Sequence, residues 1–232
     1  MADPATSIAN RPTGLFARAT DAARIAPQGA PIIVALLVLA AISFLLGFRW
    51  PALLMLILAA ALAAFFRDPH RYPQRTEGVV LAGADGRVVN VAPAVFPTDA
   101  GGACSRVSIF MSPLNVHVNR APVAGEIASI TYTPGSFRAA FGDLASEHNE
   151  RNLIEFRASG EERHAMVQVA GYLARRIVCA VRVRDRIEVG QRVGIIMFGS
   201  RVDHYVPRGY RVAVTSGQTV RAAETVIAEL EQ

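Results

Sequence analysis

Two long uncharged segments near the N-terminus constrain the fold of this 232-residue chain more than any other feature. The first, Ala30–Phe48, has 19 residues without a charge, and the second, Ala52–Phe66, has 15. Only the tripeptide 49–51 separates them. An α-helix rises ~1.5 Å per residue and needs ~20 residues to cross the hydrocarbon core of a bilayer. The spacing therefore predicts a helical hairpin at 30–66, with a first helix just long enough to span a membrane and a shorter second one.

Positive charge flanks this hairpin on both sides. Three arginines precede it and three follow it: Arg11, Arg18, Arg24, Arg67, Arg71 and Arg75. Because basic residues are retained on the cytoplasmic side of a membrane, the distribution favours a hairpin whose two ends are both cytoplasmic. A hairpin that enters only one leaflet and a hairpin buried in a soluble protein are the alternatives. Either membrane version predicts a protein of the cell membrane whose remaining residues lie on the cytoplasmic face.

The residues after the hairpin, 67–232, have the pattern of a β-rich domain, because short apolar runs alternate with Gly and Pro. Seven runs are predicted to be strands: Arg106–Met111, Gly125–Tyr132, Asn152–Ala158, Arg163–Ala170, Arg176–Val183, Arg192–Phe198 and Tyr210–Thr215. Only Phe137–Ala145 has a helical pattern. The predicted fold class is α+β with mainly antiparallel β structure, preceded by a polar segment at 1–29 and the hairpin at 30–66.

The composition restricts the chemistry of this domain. All 24 basic residues are arginines, so the chain has no lysine to form a Schiff base or to anchor pyridoxal phosphate. The net charge of +5 predicts an anionic partner, which is a membrane surface or a nucleic acid. The arginines are scattered and no basic stretch is interleaved with aromatic residues, so nucleic acid is not an expected partner. Cys104 and Cys179 are far apart in sequence and histidines are not clustered, so no metal site is expected.

One short segment, Phe-Gly-Ser-Arg-Val-Asp at 198–203, is the most distinctive candidate site. A Gly-Ser pair alone carries little weight, since such pairs commonly mark turns. The frequent catalytic and phosphate-binding motifs, G-x-G-x-x-G, H-E-x-x-H and G-x-S-x-G, do not occur in the chain. The segment gains weight from other blocks that accompany it in a fixed order. These blocks are FFRDPHRYP (65–73), LAGADGRV (81–88), IFMSPLNVHVNRAPVAG (109–125), YTPGSF with ASEHNERN (132–152), VQVAGYLARRIVC (167–179) and GQRVGIIMFGSRVDHYVP (190–207).

With these blocks the chain resembles the phosphatidylserine decarboxylase family in its short bacterial form. The resemblance implies self-cleavage between Gly199 and Ser200, which gives a β chain, 1–199, and an α chain, 200–232, that stay together as a heterodimer. It implies that Ser200 becomes a covalently bound pyruvoyl group, the cofactor. This group forms a Schiff base with the amine of phosphatidylserine, and loss of CO₂ then gives phosphatidylethanolamine. A chain without lysine can run this reaction because the substrate supplies the amine. The resemblance also implies a relation to the barrel-sandwich hybrids that include lipoyl carriers.

Two further site residues follow from the family motifs, Asp85 in Ala-Asp-Gly and His117 in Asn-Val-His. Both are candidates to activate Ser200 or to stabilise charge that develops during the reaction. Taken alone, Asp85 is also a residue that caps a turn, and His117 is a hydrogen-bonded core histidine. Longer family members carry a second histidine three residues further on, and this chain has Arg120 there. By position His117 resembles the histidine that serves decarboxylation, so the base for self-cleavage stays open.

Two other functions fit parts of this pattern. A non-enzymatic membrane adaptor of lipoyl-like architecture would keep the hairpin and the β domain but would remain one intact polypeptide. A decarboxylase of a related serine lipid, such as archaetidylserine, would share every motif, because no residue here identifies the lipid backbone. Assembly beyond the heterodimer of β and α chains is also left open.

Overall fold

The computed structural model describes residues 24–98, 101–136, 148–158, 162–171, 176–197 and 199–231. The chain divides into two compact units, one that ends at His70 and one that begins at Arg71. The first unit contains the helical hairpin and the second contains the β domain.

The helical hairpin consists of α1 (Ala30–Leu45) and α2 (Arg49–Phe65). A proline lies in the first turn of α1, where its missing N–H costs no helical hydrogen bond. Gly47, between the helices, has φ of +85°, a left-handed conformation that glycine adopts without steric strain. The segments that enter and leave the hairpin are joined by backbone hydrogen bonds from Ala26 N to Phe66 O and from Asp68 N to Arg24 O, both 2.6 Å.

The two helices are shorter than the apolar runs that predicted them. α1 has 16 residues and α2 has 17, which corresponds to ~24–26 Å against a hydrocarbon core of ~30 Å. In the described part of the chain, no helix is long and apolar enough to cross a membrane. The prediction that the first helix is just long enough to span is wrong, because the turn at 46–48 ends α1 before the apolar run ends.

The β domain contains short strands with long-range pairing. Their bounds are β1 (Val79–Leu81), β2 (Gly86–Val95), β3 (Ala103–Met111), β4 (Val118–Arg120), β5 (Gly125–Thr133), β6 (Arg151–Arg157), β7 (Arg163–Val169), β8 (Ile177–Cys179), β9 (Arg186–Ile187), β10 (Arg192–Ile196), β11 (Ser200–Pro207), β12 (Tyr210–Val212), β13 (Thr219–Val220) and β14 (Val226–Leu230). Every described pair of strands is antiparallel, so the predicted mainly antiparallel β domain is confirmed.

Three sheets form this domain. The largest has eight strands in the order β13-β2-β3-β11-β7-β6-β5-β9 and curls into a half-barrel. The two smaller sheets have the orders β1-β14-β12 and β4-β10-β8. The core combines side chains of all three sheets, such as Val80 of β1, Ile109 of β3 and Val193 of β10, all at most 1% exposed. Strand β11 lies in the middle of the large sheet, between β3 and β7.

Two predicted strands end earlier than expected. The run Arg176–Val183 is a strand only to Cys179, because a turn follows in which Arg184 has φ of +74° and Arg182 N donates to Asp185 Oδ2. The run Tyr210–Thr215 ends at Val212. The predicted helix at 137–145 lies outside the described residues. Strands β2 and β11 were not predicted.

Candidate active site

The junction between Gly199 and Ser200 lies where the chain leaves one sheet and enters another. Strand β10 of a small sheet ends at Ile196, and β11 of the large sheet begins at Ser200. Gly199 has φ of +68°, and a Cβ added to it would meet no atom within 4 Å. The glycine is therefore required by the backbone conformation and not by crowding.

Ser200 itself is fully buried at the first position of β11. It lies opposite Met111, the last residue of β3. Its hydroxyl donates to the Met111 sulfur, with 3.5 Å between Oγ and Sδ. A thioether is a weak acceptor, so this contact holds the hydroxyl in place without ionising it. Since β11 pairs with β3 and β7 over most of its length, the backbone after the junction is fixed on both sides.

Asp85 lies in the turn that leads into β2. This turn is at the same end of the paired strands of the large sheet as Ser200. Strand register places Arg87 beside Phe110 and Phe110 beside Arg201, so the start of β2 is two strands away from Ser200. The Asp85 carboxylate accepts hydrogen bonds from Arg71 NH2 at 2.6 Å and from the backbone N–H of Ala222 at 2.8 Å. Both of its oxygens are thus engaged, in the manner of a carboxylate that holds a turn.

His117 is fully buried directly before β4. Its carbonyl oxygen accepts a hydrogen bond from Ile196 N at 3.4 Å, which continues the β4–β10 pairing by one residue. His117 therefore lies opposite Ile196, and Ile196 precedes Gly199 by three residues. The ring atom Nδ1 lies 2.9 Å from the carbonyl oxygen of Asn115. Because a carbonyl can only accept, Nδ1 carries the proton, and Nε2 is the basic nitrogen of the neutral ring.

Arg120, which stands where longer relatives have a second histidine, is directed elsewhere. Its guanidinium NH1 donates to the carbonyl oxygen of Gly190 at 3.0 Å. Its backbone N–H donates to Gly83 O at 2.9 Å and so ties β4 to the turn that contains Asp85. These contacts give Arg120 a role in joining the segments around the site.

Three buried amide side chains lead from the large sheet to Met111, and the sequence analysis named none of them. Asn152 Nδ2 donates to Gln168 Oε1 at 3.0 Å, and Gln168 Nε2 donates to Asn119 Oδ1 at 2.8 Å. Asn119 Nδ2 in turn donates to Met111 Sδ at 3.6 Å. We call these three residues the amide chain. A signal was present in the sequence, since Gln168 is the one polar residue in the second half of a predicted strand, between the apolar residues Val167 and Val169.

Two further histidines are buried on the interior face. His204 lies four residues after Ser200 on the same face of β11, and its Nε2 accepts from Gly83 N at 3.0 Å. Burial, with a smaller contribution from the neighbouring His164, lowers the pKa of His204 to about 3. Burial also lowers the pKa of His164, although Glu162 opposes the shift. Both rings are therefore neutral at physiological pH.

A cleft of about 800 Å³ lies beside His164 and not at Ser200. It is lined by Glu162, Glu188 and Tyr210 among others. The Tyr210 hydroxyl donates a hydrogen bond to Glu162 Oε2 at 2.8 Å. Burial, with a smaller contribution from this carboxylate, raises the pKa of Tyr210 to about 12. Within the described residues, no group of three His, Cys, Asp or Glu side chains is arranged to hold a metal ion.

Comparison with known proteins identifies a family over most of the chain. A sequence profile named phosphatidylserine decarboxylase matches residues 58–228. A phosphatidylserine decarboxylase proenzyme of Anaplasma phagocytophilum is 44% identical over 206 residues, which cover 88% of this chain and 90% of the relative. A proenzyme of the same name from Granulibacter bethesdensis is 51% identical over 169 residues, 72% of this chain and 69% of the relative. One from Mycolicibacterium smegmatis is 45% identical over 185 residues, 78% and 80% of the two chains.

Proposed function

The chain belongs to the phosphatidylserine decarboxylase family, and from this premise we propose that it is a proenzyme that cleaves itself between Gly199 and Ser200. The mature enzyme converts phosphatidylserine to phosphatidylethanolamine and CO₂. One observation carries the assignment of the cleavage site. A glycine in the left-handed conformation directly precedes a buried serine whose strand is paired on both sides.

This geometry supports attack within the chain. The Oγ atom of Ser200 attacks the carbonyl carbon of Gly199, and the peptide nitrogen leaves that carbon, so that an ester replaces the peptide bond. Loss of the Cα proton of residue 200 breaks the bond between Cβ and Oγ, and Oγ remains in the new carboxylate of Gly199. Addition of water and loss of ammonia convert residue 200 into the pyruvoyl group. A residue with a side chain at position 199 would be strained in the left-handed conformation, which supports glycine as the residue before the cut.

The surroundings of Ser200 fit a pyruvoyl group. The interior position beside Met111 excludes water from a reactive carbonyl, and the methyl carbon derived from Ser200 Cβ would keep its apolar contacts there. When bound to the chain, the group supplies an electrophilic carbonyl that takes up the substrate amine and the electrons released with CO₂. The chain has no lysine, so it has no side-chain amine that could anchor pyridoxal phosphate for the same chemistry.

We propose that His117 moves a proton during decarboxylation. Its Nδ1 is engaged by Asn115 O, so Nε2 is the atom that accepts or donates a proton. The backbone contact to Ile196 holds the ring near the segment that precedes Gly199. Asp85 acts less directly in this proposal. Through Arg71 and Ala222 N it fixes the turn at the sheet edge that also contains Ser200. The base for self-cleavage is not assigned to Arg120, whose guanidinium binds Gly190 O.

The topology supports a stable heterodimer after cleavage. The α chain, 200–232, contributes β11 to the large sheet between β3 and β7. It also contributes β13 beside β2, and β12 and β14 to the sheet that contains β1. The 33-residue α chain is therefore paired with the β chain at several places that are independent of the cleaved bond.

We further propose that the hairpin attaches the protein to the cytoplasmic face of the cell membrane. Sixteen of its large apolar side chains are exposed, among them Leu45 at 83% and Trp50 at 81%. A contiguous exposed apolar surface of this kind marks an interaction site, and lipid is its natural partner here because the substrate is a lipid. Arg67 caps the end of α2 through Ala64 O, and Arg71 is paired with Asp85 and Glu224. Of the three arginines that follow the hairpin, Arg75 is the one that is more than half exposed, beside Glu229.

Intact mass of the purified protein tests the proposed function. The expected result is two chains, 1–199 and 200–232, with the second lacking the amino group of Ser200 and reacting with hydroxylamine. Borohydride added with phosphatidylserine should attach the lipid to the 33-residue chain alone. Addition of pyridoxal phosphate should have no effect. A single intact chain of 232 residues would contradict the proposal and would favour a non-enzymatic adaptor of lipoyl-like, barrel-sandwich architecture.

A further inference from the structure

The amide chain has a direction. The oxygen of Gln168 is occupied by the Asn152 amide, and the oxygen of Asn119 is occupied by the Gln168 amide. Because each side-chain oxygen already accepts a hydrogen bond from its neighbour, the Asn119 NH₂ group is turned toward Met111 and Ser200. Asn119 and Gln168 are fully buried and Asn152 is 3% exposed, so solvent does not compete for these contacts.

Core packing alone does not account for these polar side chains. Val118, Ile195 and Val202 lie around them and are at most 1% exposed. A buried amide costs free energy unless all its partners are present, whereas an apolar side chain of similar size carries no such requirement. A Cβ at Gly194 would clash with the backbone carbonyl oxygen of Val178 and would lie 3.0 Å from Gln168 Nε2, so the glycine leaves room for both groups. Three amide positions on three strands are thus matched to aim one NH₂ group.

The acceptor at the end of the chain is a poor one. Both the Asn119 amide and the Ser200 hydroxyl donate to the same thioether sulfur, at 3.6 and 3.5 Å. A thioether is a weak acceptor compared with a carbonyl or a carboxylate. In the proposed cleavage the oxygen of Ser200 departs into the carboxylate of Gly199, which removes one of the two donors. The Asn119 amide is then a donor beside residue 200 for a better acceptor.

We propose that Asn119 is a further residue of the reaction site, whose side-chain amide donates a hydrogen bond to a carboxylate beside residue 200, and that Gln168 and Asn152 are positioning residues for it. The inference rests on the proposed function, since that function brings carboxylates to this place. Two sources share the chemistry, the serine head group of the substrate and the new C-terminus at Gly199. A hydrogen bond from an amide to a carboxylate is charge-assisted and stronger than one to sulfur.

The test compares Asn119→Ala with Val118→Ala, a matched truncation of a buried neighbour on the same strand. Self-cleavage is followed by intact mass. The cleaved proteins are then assayed for the KM of short-chain phosphatidylserine and the inhibition constant of short-chain phosphatidylethanolamine, which lacks the carboxylate. If Asn119 binds the substrate carboxylate, the KM rises about 10- to 100-fold in Asn119→Ala, while inhibition by the product lipid changes less than about threefold.

The second source gives a different result. If the carboxylate is that of Gly199, self-cleavage of Asn119→Ala slows about tenfold or more, and the ratio of the two lipid constants stays that of the control. The inference is overturned if Asn119→Ala cleaves at the rate of Val118→Ala and has the same ratio. A failure of the proposed function is distinct, since the unmodified chain itself then shows no cleavage or no decarboxylation, whereas a failure of this inference alone leaves both properties of the unmodified chain intact.

Gln168→Met tests the positioning role and is the variant to use if Asn119→Ala loses its cooperative thermal transition. The methionine side chain is similar in length but has no N–H group, so it cannot donate to Asn119 Oδ1 and the Asn119 amide loses its fixed orientation. We expect the same selective effect as in Asn119→Ala, and little additional effect when the two changes are combined. A Gln168→Met effect that is fully retained in the double variant would contradict a role through Asn119.

Discussion

The hairpin exposes most of its large apolar side chains, whereas the β domain buries most of its own. Among the described residues, sixteen large apolar side chains are exposed in the hairpin and six in the rest of the chain. In the β domain, Ile109, Ile127 and Ile154 are fully buried. The hairpin therefore still needs a partner surface, whereas the β domain buries its own core.

The two regions also differ in the polar side chains that they contain. The described helices of the hairpin have no charged residue except Arg49. The β domain buries the amide chain, three histidines and the paired side chains of Arg201 and Asp203. The proposed attachment and the proposed chemistry thus fall in different parts of the chain, and variants in one region should spare the property of the other.

Ser200→Ala gives the largest expected effect. It should abolish self-cleavage and decarboxylation and leave membrane attachment unchanged. The variant lacks the attacking oxygen, so we expect one uncleaved chain of 232 residues without decarboxylase activity. The fraction that sediments with membranes should equal that of the unmodified protein. Ser108→Ala is the control, a buried serine of β3 opposite Asp203, and it should cleave. Cleavage of Ser200→Ala, seen on a denaturing gel, would place the nucleophile elsewhere.

His117→Ala should separate cleavage from turnover. We expect substantial self-cleavage and a turnover number lower by about 10²- to 10⁴-fold, the usual contribution of a general acid or base. Intact mass and a CO₂ release assay measure the two properties. An uncleaved His117→Ala protein would show that Nε2 activates Ser200 itself. A cleaved variant with nearly normal turnover would remove His117 from the site.

Deletion of residues 1–64 should break attachment and spare the chemistry. The variant loses the exposed apolar surface of both helices, so we expect it in the soluble fraction and still cleaved. Its rate on bilayer phosphatidylserine should fall about 10²-fold relative to its rate on short-chain soluble substrate, because the enzyme is no longer concentrated at the lipid. Deletion of 1–23 is the control, since it keeps the described hairpin. Full sedimentation of the 1–64 deletion with membranes at high salt would exclude the hairpin as the anchor.

Asp85→Asn should have a smaller effect, confined to self-cleavage. The amide keeps the size of the side chain but weakens the charge-assisted contact with Arg71, so we expect cleavage to slow about tenfold. Arg71→Gln is the matched variant. Equal slowing in both would mean that Asp85 acts by holding the turn. Slowing in Asp85→Asn alone would mean that its charge acts on the reaction.

Sequence patterns predicted the strands whose faces differ in polarity. β3, β5, β6, β7 and β10 each overlap a predicted run, because their apolar residues recur in short uninterrupted stretches. β11 was missed although it contains the candidate site. Its polar residues Arg201 and Asp203 interrupt the apolar pattern, and in the fold they pair with each other at 2.9 Å and are buried. A strand that satisfies its charges internally has no alternating pattern to detect.

The site was predictable only where a short motif defines it. Gly199 and Ser200 are adjacent in sequence, and the ordered blocks that accompany them were enough to propose them. The amide chain joins β4, β6 and β7, and its members meet only through the register of two different sheets. No spacing in the sequence encodes such a contact. The hairpin shows the same limit, since its apolar runs are visible but the turn that shortens α1 is not.

His204 offers the smallest expected effect and a test of how strongly the β domain depends on neutral buried groups. Its pKa is lowered to about 3 in the folded protein, against about 6.5 when unfolded. Between these values the unfolded chain binds more protons, so the free energy of unfolding falls as the pH decreases from about 6.5, by at most ~1.4 kcal/mol per pH unit from this group. His204→Gln keeps an acceptor for Gly83 N and removes the titration, so its urea unfolding should depend less steeply on pH in this range. His70→Gln, an exposed position in the hairpin unit, is the control and should keep the slope of the unmodified protein. Equal slopes in all three proteins would mean that protonation of His204 does not limit the stability of the β domain.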